Sequence, residues 1–330
     1  MEDAEMLQRK RRHTADWLGG IAFVAAAAGL TTAAAAADNG YGSRLSMSDI
    51  CGDCQVEKFT QCGDFLEGPI FDNSGNLWLV SIESGNIEKV TSDRTCKTVV
   101  NTGGEPQGLE FHKDGRLFGV DRKRGVFWID IESGEVHDYM RYFQNENFHG
   151  PNDLIFDSNG GIYFTDPWGS SVINPTGGLY YISPEPEKKI TRLADNLTFP
   201  NGIALSPDDK TLYVGDFNRN RVLALPIESP GVLNVGFAHV LTYLNGEMGT
   251  DGMTVDQDGN IYQAHYGAGE VVVIDSHGKI VGAIRLPDGA GMQTTNAAFH
   301  DGYLYITEAG QNVVWRVKTK IPGVKLFQDK

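Results

Sequence analysis

Four oxygen-bearing side chains, Glu67, Asn152, Asn201 and Asp251, stand far apart in a 330-residue chain yet share one local setting. Each opens an apolar run: LEGPIF from Leu66, PNDLIF from Pro151, PNGIAL from Pro200 and TDGMTV from Thr250. Two carboxylates and two amides make an all-oxygen donor set whose charge matches a divalent cation. Calcium takes about six to eight oxygens, so four protein ligands leave room for water and a substrate oxygen. A cation left open in this way polarises a carbonyl or acidifies a water molecule. Polar residues at strand starts often do no more than cap turns or meet solvent. Four in matching register are harder to explain so, because two carboxylates buried together without a cation are costly.

The shared setting is a repeat. Gln107 in PQGLEF and Asn296 in TNAAF hold the same position, and the six polar residues follow one another at 40, 45, 49, 50 and 45 residues. Each opening runs into a Gly/Asp/Asn turn and returns as a second strand. Third strands follow, such as VFWID from Val126 and VVVID from Val271. Short strands repeating at this period predict an all-β fold, a six-bladed β-propeller with four-stranded blades. The first strand of every blade lines the central channel, so equivalent residues meet around one axis. QVEKFT, from Gln55, alternates apolar and polar residues and is expected to close the last blade as its outer strand. The propeller is therefore expected over residues 55–330.

Second strands end at Ser81, Asp121, Asp166, Asp216, His265 and Glu308, antiparallel to the first strands and thus at the same mouth. Asp166 and Asp216 are placed to support the ligands from behind, although turn-forming Asp is the commoner role. His149 precedes the Asn152 opening and is a candidate proton carrier; His265 is another. Phe65, Phe148, Trp168, Phe199, Phe217 and Tyr266 lie close in sequence to the two rings. They are read either as an apolar substrate wall or as packing between blades. No nucleophile elbow stands out, since Ser170, Ser171 and Ser206 lack the paired flanking glycines of G-x-S-x-G.

The net charge is −15, and the charges of residues 1–37 cancel, so removing that segment leaves it unchanged. An acidic chain with no basic stripe repels phosphate backbones, which excludes nucleic acid as a partner. Residues 1–37 read as an export signal: basic RKRR, an apolar stretch from Leu18, then an alanine run. The stretch is too rich in Ala and Gly for a permanent span. The expected mature protein is periplasmic or secreted, monomeric and free of the membrane, with residues 38–54 as a polar leader. In an oxidising compartment Cys51, Cys54, Cys62 and Cys96 imply two disulfides, with three pairings open. A zinc site using the Cys51-x-x-Cys54 spacing is the rival reading.

Over residues 55–318 the chain resembles the gluconolactonase and senescence-marker-protein family of six-bladed propellers. The stretches that carry the resemblance are Leu66-Glu67-Gly68-Pro69, Gly150-Pro151-Asn152-Asp153-Leu154, Tyr163-Phe164-Thr165-Asp166-Pro167, Pro200-Asn201-Gly202-Ile203 and Asp251-Gly252-Met253. It implies metal ligation by Glu67, Asn152, Asn201 and Asp251, a calcium-dependent hydrolase acting on a small-molecule lactone or ester, and Asp251 as base or nucleophile beside its ligand role. The diisopropylfluorophosphatase pattern also fits, including Asn312-Val313-Val314-Trp315, which keeps a calcium-dependent arylesterase or phosphotriesterase as an alternative. That group carries a histidine where this chain has Ala309. The animal sugar lactonases carry an arginine where this chain has Gly150. A non-catalytic ligand-binding propeller is the third reading, because one fold hosts many functions.

Overall fold

The computed structural model describes residues 43–330. Six antiparallel sheets stand around one axis. Blade 1 comprises Leu66–Phe71, Leu77–Ser81, Asn86–Val90 and Cys96–Asn101; blade 2 comprises Pro106–Phe111, Leu117–Asp121, Gly125–Ile129 and Val136–Met140. Blade 3 is built from Leu154–Phe156, Ile162–Asp166, Gly177–Ile182 and Ile190–Leu197, and blade 5 from Gly249–Val255, Ile261–Tyr266, Glu270–Ile274 and Ile280–Arg285. Blade 4 contains Pro200–Leu205, Thr211–Asp216, Arg221–Ser229 and His239–Tyr243, with a two-residue strand, Val232–Leu233, added beside its third strand.

Blade 6 is composite. Its inner strands are Thr294–His300, Tyr303–Glu308 and Val313–Lys318, and its outer strand is Val56–Gln61 from the far end of the chain. The alternating QVEKFT stretch thus closes the ring, and the edge that blade 6 would otherwise expose is covered. Apolar side chains fill all six seams. Ile70 and Trp78 meet Leu109 and Phe127 between blades 1 and 2, and Leu66, Leu79 and Phe71 meet Tyr305 and Val314 where the ring closes. Inner strands are buried on both faces, which explains why they read as nearly continuous apolar runs.

Residues 43–54 do more than lead into the propeller. A short helix, Met47–Cys51, buries Ile50 and Cys51 against Tyr262 and Ile284 of blade 5 and Leu304 of blade 6. Cys51 pairs with Cys54, and Cys62 with Cys96 of blade 1, which selects one of the three pairings. Residues 1–37, read from sequence as an export signal, and the first leader residues lie outside the described residues, of which no helix is long and apolar enough to cross a membrane.

At the other end, residues 319–330 form a strap beneath the channel. Val324 N–H donates to Val255 O (3.0 Å), Gln328 Nε2 to Phe71 O (2.7 Å), and Lys330 Nζ to Ser158 Oγ (2.8 Å). Phe327 stacks on Phe156. Above the strap is a cavity of about 80 Å3, bounded by Glu110, Asp153, Asn296 and Lys330 among others. The strap leaves the opposite mouth as the open approach to the axis.

Candidate metal centre and mouth

In five of the six blades the inner strand breaks step with its neighbour at the polar position. The ladder shifts between Glu67 and Ile70, between Pro200 and Ile203, and between Thr250 and Met253. Such bulges turn a side chain out of the sheet plane. The next residue is Gly68, Gly108, Gly202 or Gly252 in four blades, and each is needed for close approach. A Cβ on Gly202 would sit 2.4 Å from Asp251 O, and one on Gly252 would sit 2.1 Å from Asn296 Cγ. Backbone therefore meets backbone around the axis, and the preceding side chains are drawn together.

Blade 6 has the small Ala297 at this place, and blade 3 departs furthest, with Asp153 where four blades have glycine. Its carboxylate is buried and accepts from Leu154 N (2.9 Å) and Ile203 N (3.2 Å). Sequence reasoning passed over Asp153, yet the signal was there in the exception to the glycine column.

Glu67, Asn201 and Asp251 are each only 5–6 % exposed. Glu67 Oε2 accepts from Gly68 N (2.6 Å) and Asn296 Nδ2 (3.0 Å). Asn152 stands at the edge of the group, its Nδ2 3.4 Å from Gln107 Oε1. Gln263 Nε2 donates to Asp251 O (2.8 Å) and Gly252 O (3.0 Å), fixing the Asp251 backbone.

The electrostatics of this cluster are strained. Burial pushes the Glu67 carboxyl up to about 7, against the pull of its Gly68 and Asn296 hydrogen bonds. Asp251 is raised as well, by burial first and then by the negative charges of Glu67 and Asp153, while a hydrogen bond from Asn201 pulls the other way. Burial and Glu67 also raise Asp153. The buried Asn201 Oδ1 has no hydrogen-bond partner. Among the described residues no three His, Cys, Asp or Glu side chains form a ready cage, so the candidate set is two carboxylates with amide oxygens. Crowded carboxylates and an orphaned amide oxygen suit a hard divalent cation, which would satisfy both.

The second-strand carboxylates serve the loops. Asp166 accepts from His149 N (3.0 Å) and Gly150 N (2.6 Å), just ahead of Asn152. Asp216 accepts from Thr198 N and Phe199 N just ahead of Asn201, and pairs with Arg221 (2.7 Å). Glu308 holds Gln293 N ahead of Asn296. These residues act on the approach to each inner strand and not on the ligand side chains. His265 is buried, near Glu270 (3.6 Å) and Asn220 (3.3 Å). The His149 side chain is exposed at the mouth, where its backbone hangs on Asp166.

The aromatic residues divide. Phe148 packs on Phe164 and Tyr180 inside the seam between blades 2 and 3, as blade packing. Trp168, Phe199, Phe217 and Tyr266 form a half-buried chain across blades 3 to 5, with ring centroids 5.4, 5.7 and 6.0 Å apart. Tyr266 faces the cluster: after burial, the charge of Asp251 is the next cause raising its hydroxyl. Met248 and Met292 are exposed in the loops beside it.

The profile of the family described as SMP-30/gluconolactonase/LRE-like matches residues 65–310. The protein named lactonase drp35 from Staphylococcus haemolyticus is 35% identical over 256 residues, which span 74% of this chain and 78% of that one. Its namesake from Staphylococcus aureus strain MRSA252 is 36% identical over 248 residues, or 72% and 75% of the two chains. Among solved structures, a gluconolactonase from Xanthomonas campestris superposes with a TM-score of 0.74 at 23% identity, covering 84% of this chain and 94% of its own. Regucalcin from Agrobacterium tumefaciens, described as calcium-binding, gives 0.69 at 22% identity, with 82% and 98% covered. These two likenesses establish the six-bladed architecture.

Proposed function

The chain belongs to the SMP-30/gluconolactonase/LRE-like family, and from that premise we propose that it is an exported, calcium-dependent lactone hydrolase. The observation that carries the reading is the pair Glu67 and Asp251, two like charges buried together beside an unpartnered Asn201 Oδ1. The staphylococcal relatives named lactonases support the reaction class. Regucalcin's description supports the choice of cation.

Glu67, Asn152, Asn201 and Asp251 would hold the cation. When bound it supplies polarisation of an ester carbonyl and acidification of water. The remaining work falls to the chain. Asp251, its carboxyl raised by burial and then by the charge of Glu67, is placed to take a proton from attacking water. The water oxygen adds to the carbonyl carbon, the ring C–O bond breaks, and the departing alkoxide takes up a proton, giving a hydroxy acid. His149 exchanges protons with solvent at the mouth. Asp166 and Asp216 fix the loops that aim Asn152 and Asn201, so little reorganisation accompanies the reaction.

The aromatic chain favours a substrate with apolar surface. Burial stabilises by roughly 25 cal/mol per Å2, so a ring laid against Phe199, Phe217 and Tyr266 outweighs a lost hydroxyl contact. Aryl or alkyl lactones are expected to surpass gluconolactone. The test is kcat/KM for gluconolactone, an alkyl γ-lactone and an aryl lactone, with and without chelator. Full turnover after exhaustive metal stripping would sink the metal-dependent reading, and a clear preference for gluconolactone would sink the apolar one.

Export to the periplasm or medium is part of the proposal. The pairings Cys51–Cys54 and Cys62–Cys96 support it, because such bonds persist in oxidising compartments. The mass of the exported protein gives its first residue, and an intact residue 1 would refute cleavage.

A further inference from the structure

A cationic device stands at the mouth, between blades 2 and 3. Arg122 follows the end of the second strand of blade 2, and its guanidinium lies 3.4 Å from the centroid of the Trp168 ring. Its backbone N–H donates to Glu105 O (3.1 Å), and Nη1 pairs with Glu105 Oε2 (2.9 Å). Lys123 Nζ reaches the other oxygen of that carboxylate, also at 2.9 Å. One surface carboxylate thus serves two cations, so Glu105 does not engage the whole of the Arg122 fork.

Its placement is tied to the metal centre from two sides. Trp168 lies on Gly150, where a Cβ would be 2.0 Å from Trp168 Cδ1, so the stack rests on the backbone just before Asn152. Gln107 links the other side: Nε2 donates to Glu105 O (3.3 Å), and Oε1 accepts from Asn152 Nδ2 (3.4 Å). Beneath, buried Asp121 accepts from Lys123 N (2.7 Å) and Arg124 N (3.0 Å), which fixes the turn. The Arg122 side chain keeps about a third of its surface open to solvent (35%).

We infer that Arg122 is a specificity-determining residue that selects lactones bearing a carboxylate. Stacking on Trp168 orients the guanidinium plane, and the pair with Glu105 engages Nη1, so the fork has other N–H donors to offer an incoming carboxylate. A cation held over an aromatic face also sheds part of its hydration, which strengthens a new charge-assisted contact. The expected substrate is amphiphilic, with an apolar body along the aromatic chain and an anionic arm on Arg122.

This inference rests on the lactonase reading. The experiment compares kcat/KM for a γ-lactone carrying a carboxylate with that for its neutral primary amide, at low ionic strength, in wild type, Arg122→Gln and Arg122→Lys. Wild type should favour the acid by about 10-fold or more, chiefly through KM, and added salt should shrink the ratio. Arg122→Gln should bring the ratio near one, and Arg122→Lys should fall between. A wild-type ratio near one, or a ratio unchanged in Arg122→Gln, overturns the inference while hydrolysis of the amide leaves the lactonase reading standing. Turnover of neither lactone by wild type overturns both. The wild-type ratio and its salt dependence decide the matter even if a variant fails to fold.

Discussion

Stripping divalent cations from this protein should make its stability fall as pH rises. Glu67 has an ordinary value of 4.5 and is held at about 7 in the fold, chiefly by burial. Below 4.5 both folded and unfolded chains keep the proton. Between 4.5 and 7 the unfolded chain releases it and the folded one does not, so the unfolded state gains until the pH passes 7. At about 1.4 kcal/mol per unit, the loss is about 3 kcal/mol from Glu67 alone. Asp251 is shifted in the same direction and steepens the fall. With an unfolding entropy near 2 cal/mol/K per residue, 3 kcal/mol corresponds to about 5 °C in Tm. The scan should run from pH 5 to 8, where carboxylates held low, such as Asp114 at about 2, are ionised in both states and contribute no slope. Calorimetry in chelator should show Tm dropping by about that amount or more. Calcium at 100 times its Kd should return about 2.7 kcal/mol at pH 8 and far less at pH 5, where protons compete for the same oxygens. Glu67→Gln should remove its share of the slope. A chelated protein whose Tm is flat or rises across this range would refute the reasoning.

Asp251→Asn should retain the fold by circular dichroism but lose at least about 100-fold in kcat, since it removes a charge and the base together; turnover within a few-fold of wild type would leave Asp251 a structural residue. His149→Ala, at the exposed rim, should cost about 10–100-fold. Gly202→Ala sets a Cβ against Asp251 O and should destabilise by about 1–3 kcal/mol in urea unfolding while weakening calcium binding. Opening Cys62–Cys96, which closes a 34-residue separation, should cost about 3–4 kcal/mol on the chain-entropy account, and peptide mapping without reductant should find that pair intact.

The blades were legible because six polar residues recur in one sequence frame, and a period of this length has few structural solutions. Strands such as Leu117–Asp121 and Glu270–Ile274 follow, to within a residue, from apolar runs between turn residues. Three things were hidden. Asp153 sits next to a candidate ligand and looked like part of a motif, and only its neighbours' glycines mark it as an intruder on the axis. Phe148 and Phe199 occupy similar places ahead of their inner strands, but one enters a seam and the other lines the mouth, a choice made by the connecting loops. The strap at residues 319–330 has no periodicity to announce it, since its role is fixed by isolated backbone contacts to Val255 and Phe71.

Blade 6 is shared between the two ends of the chain, and this sets an order of events during synthesis. Val56–Gln61 leaves the ribosome early but has no partner strand until Val313–Lys318 emerges. For most of translation, then, a strand with unpaired backbone groups waits beside a growing row of blades, each of which can pack on its predecessor as it appears. A chain stalled before residue 313 would hold five finished blades and no ring. Cys62 adjoins this waiting strand and bonds to blade 1, so an early Cys62–Cys96 link would park the strand beside the seam it must later close. Export across a membrane in an extended form would postpone the whole sequence until the last sixth of the propeller has arrived.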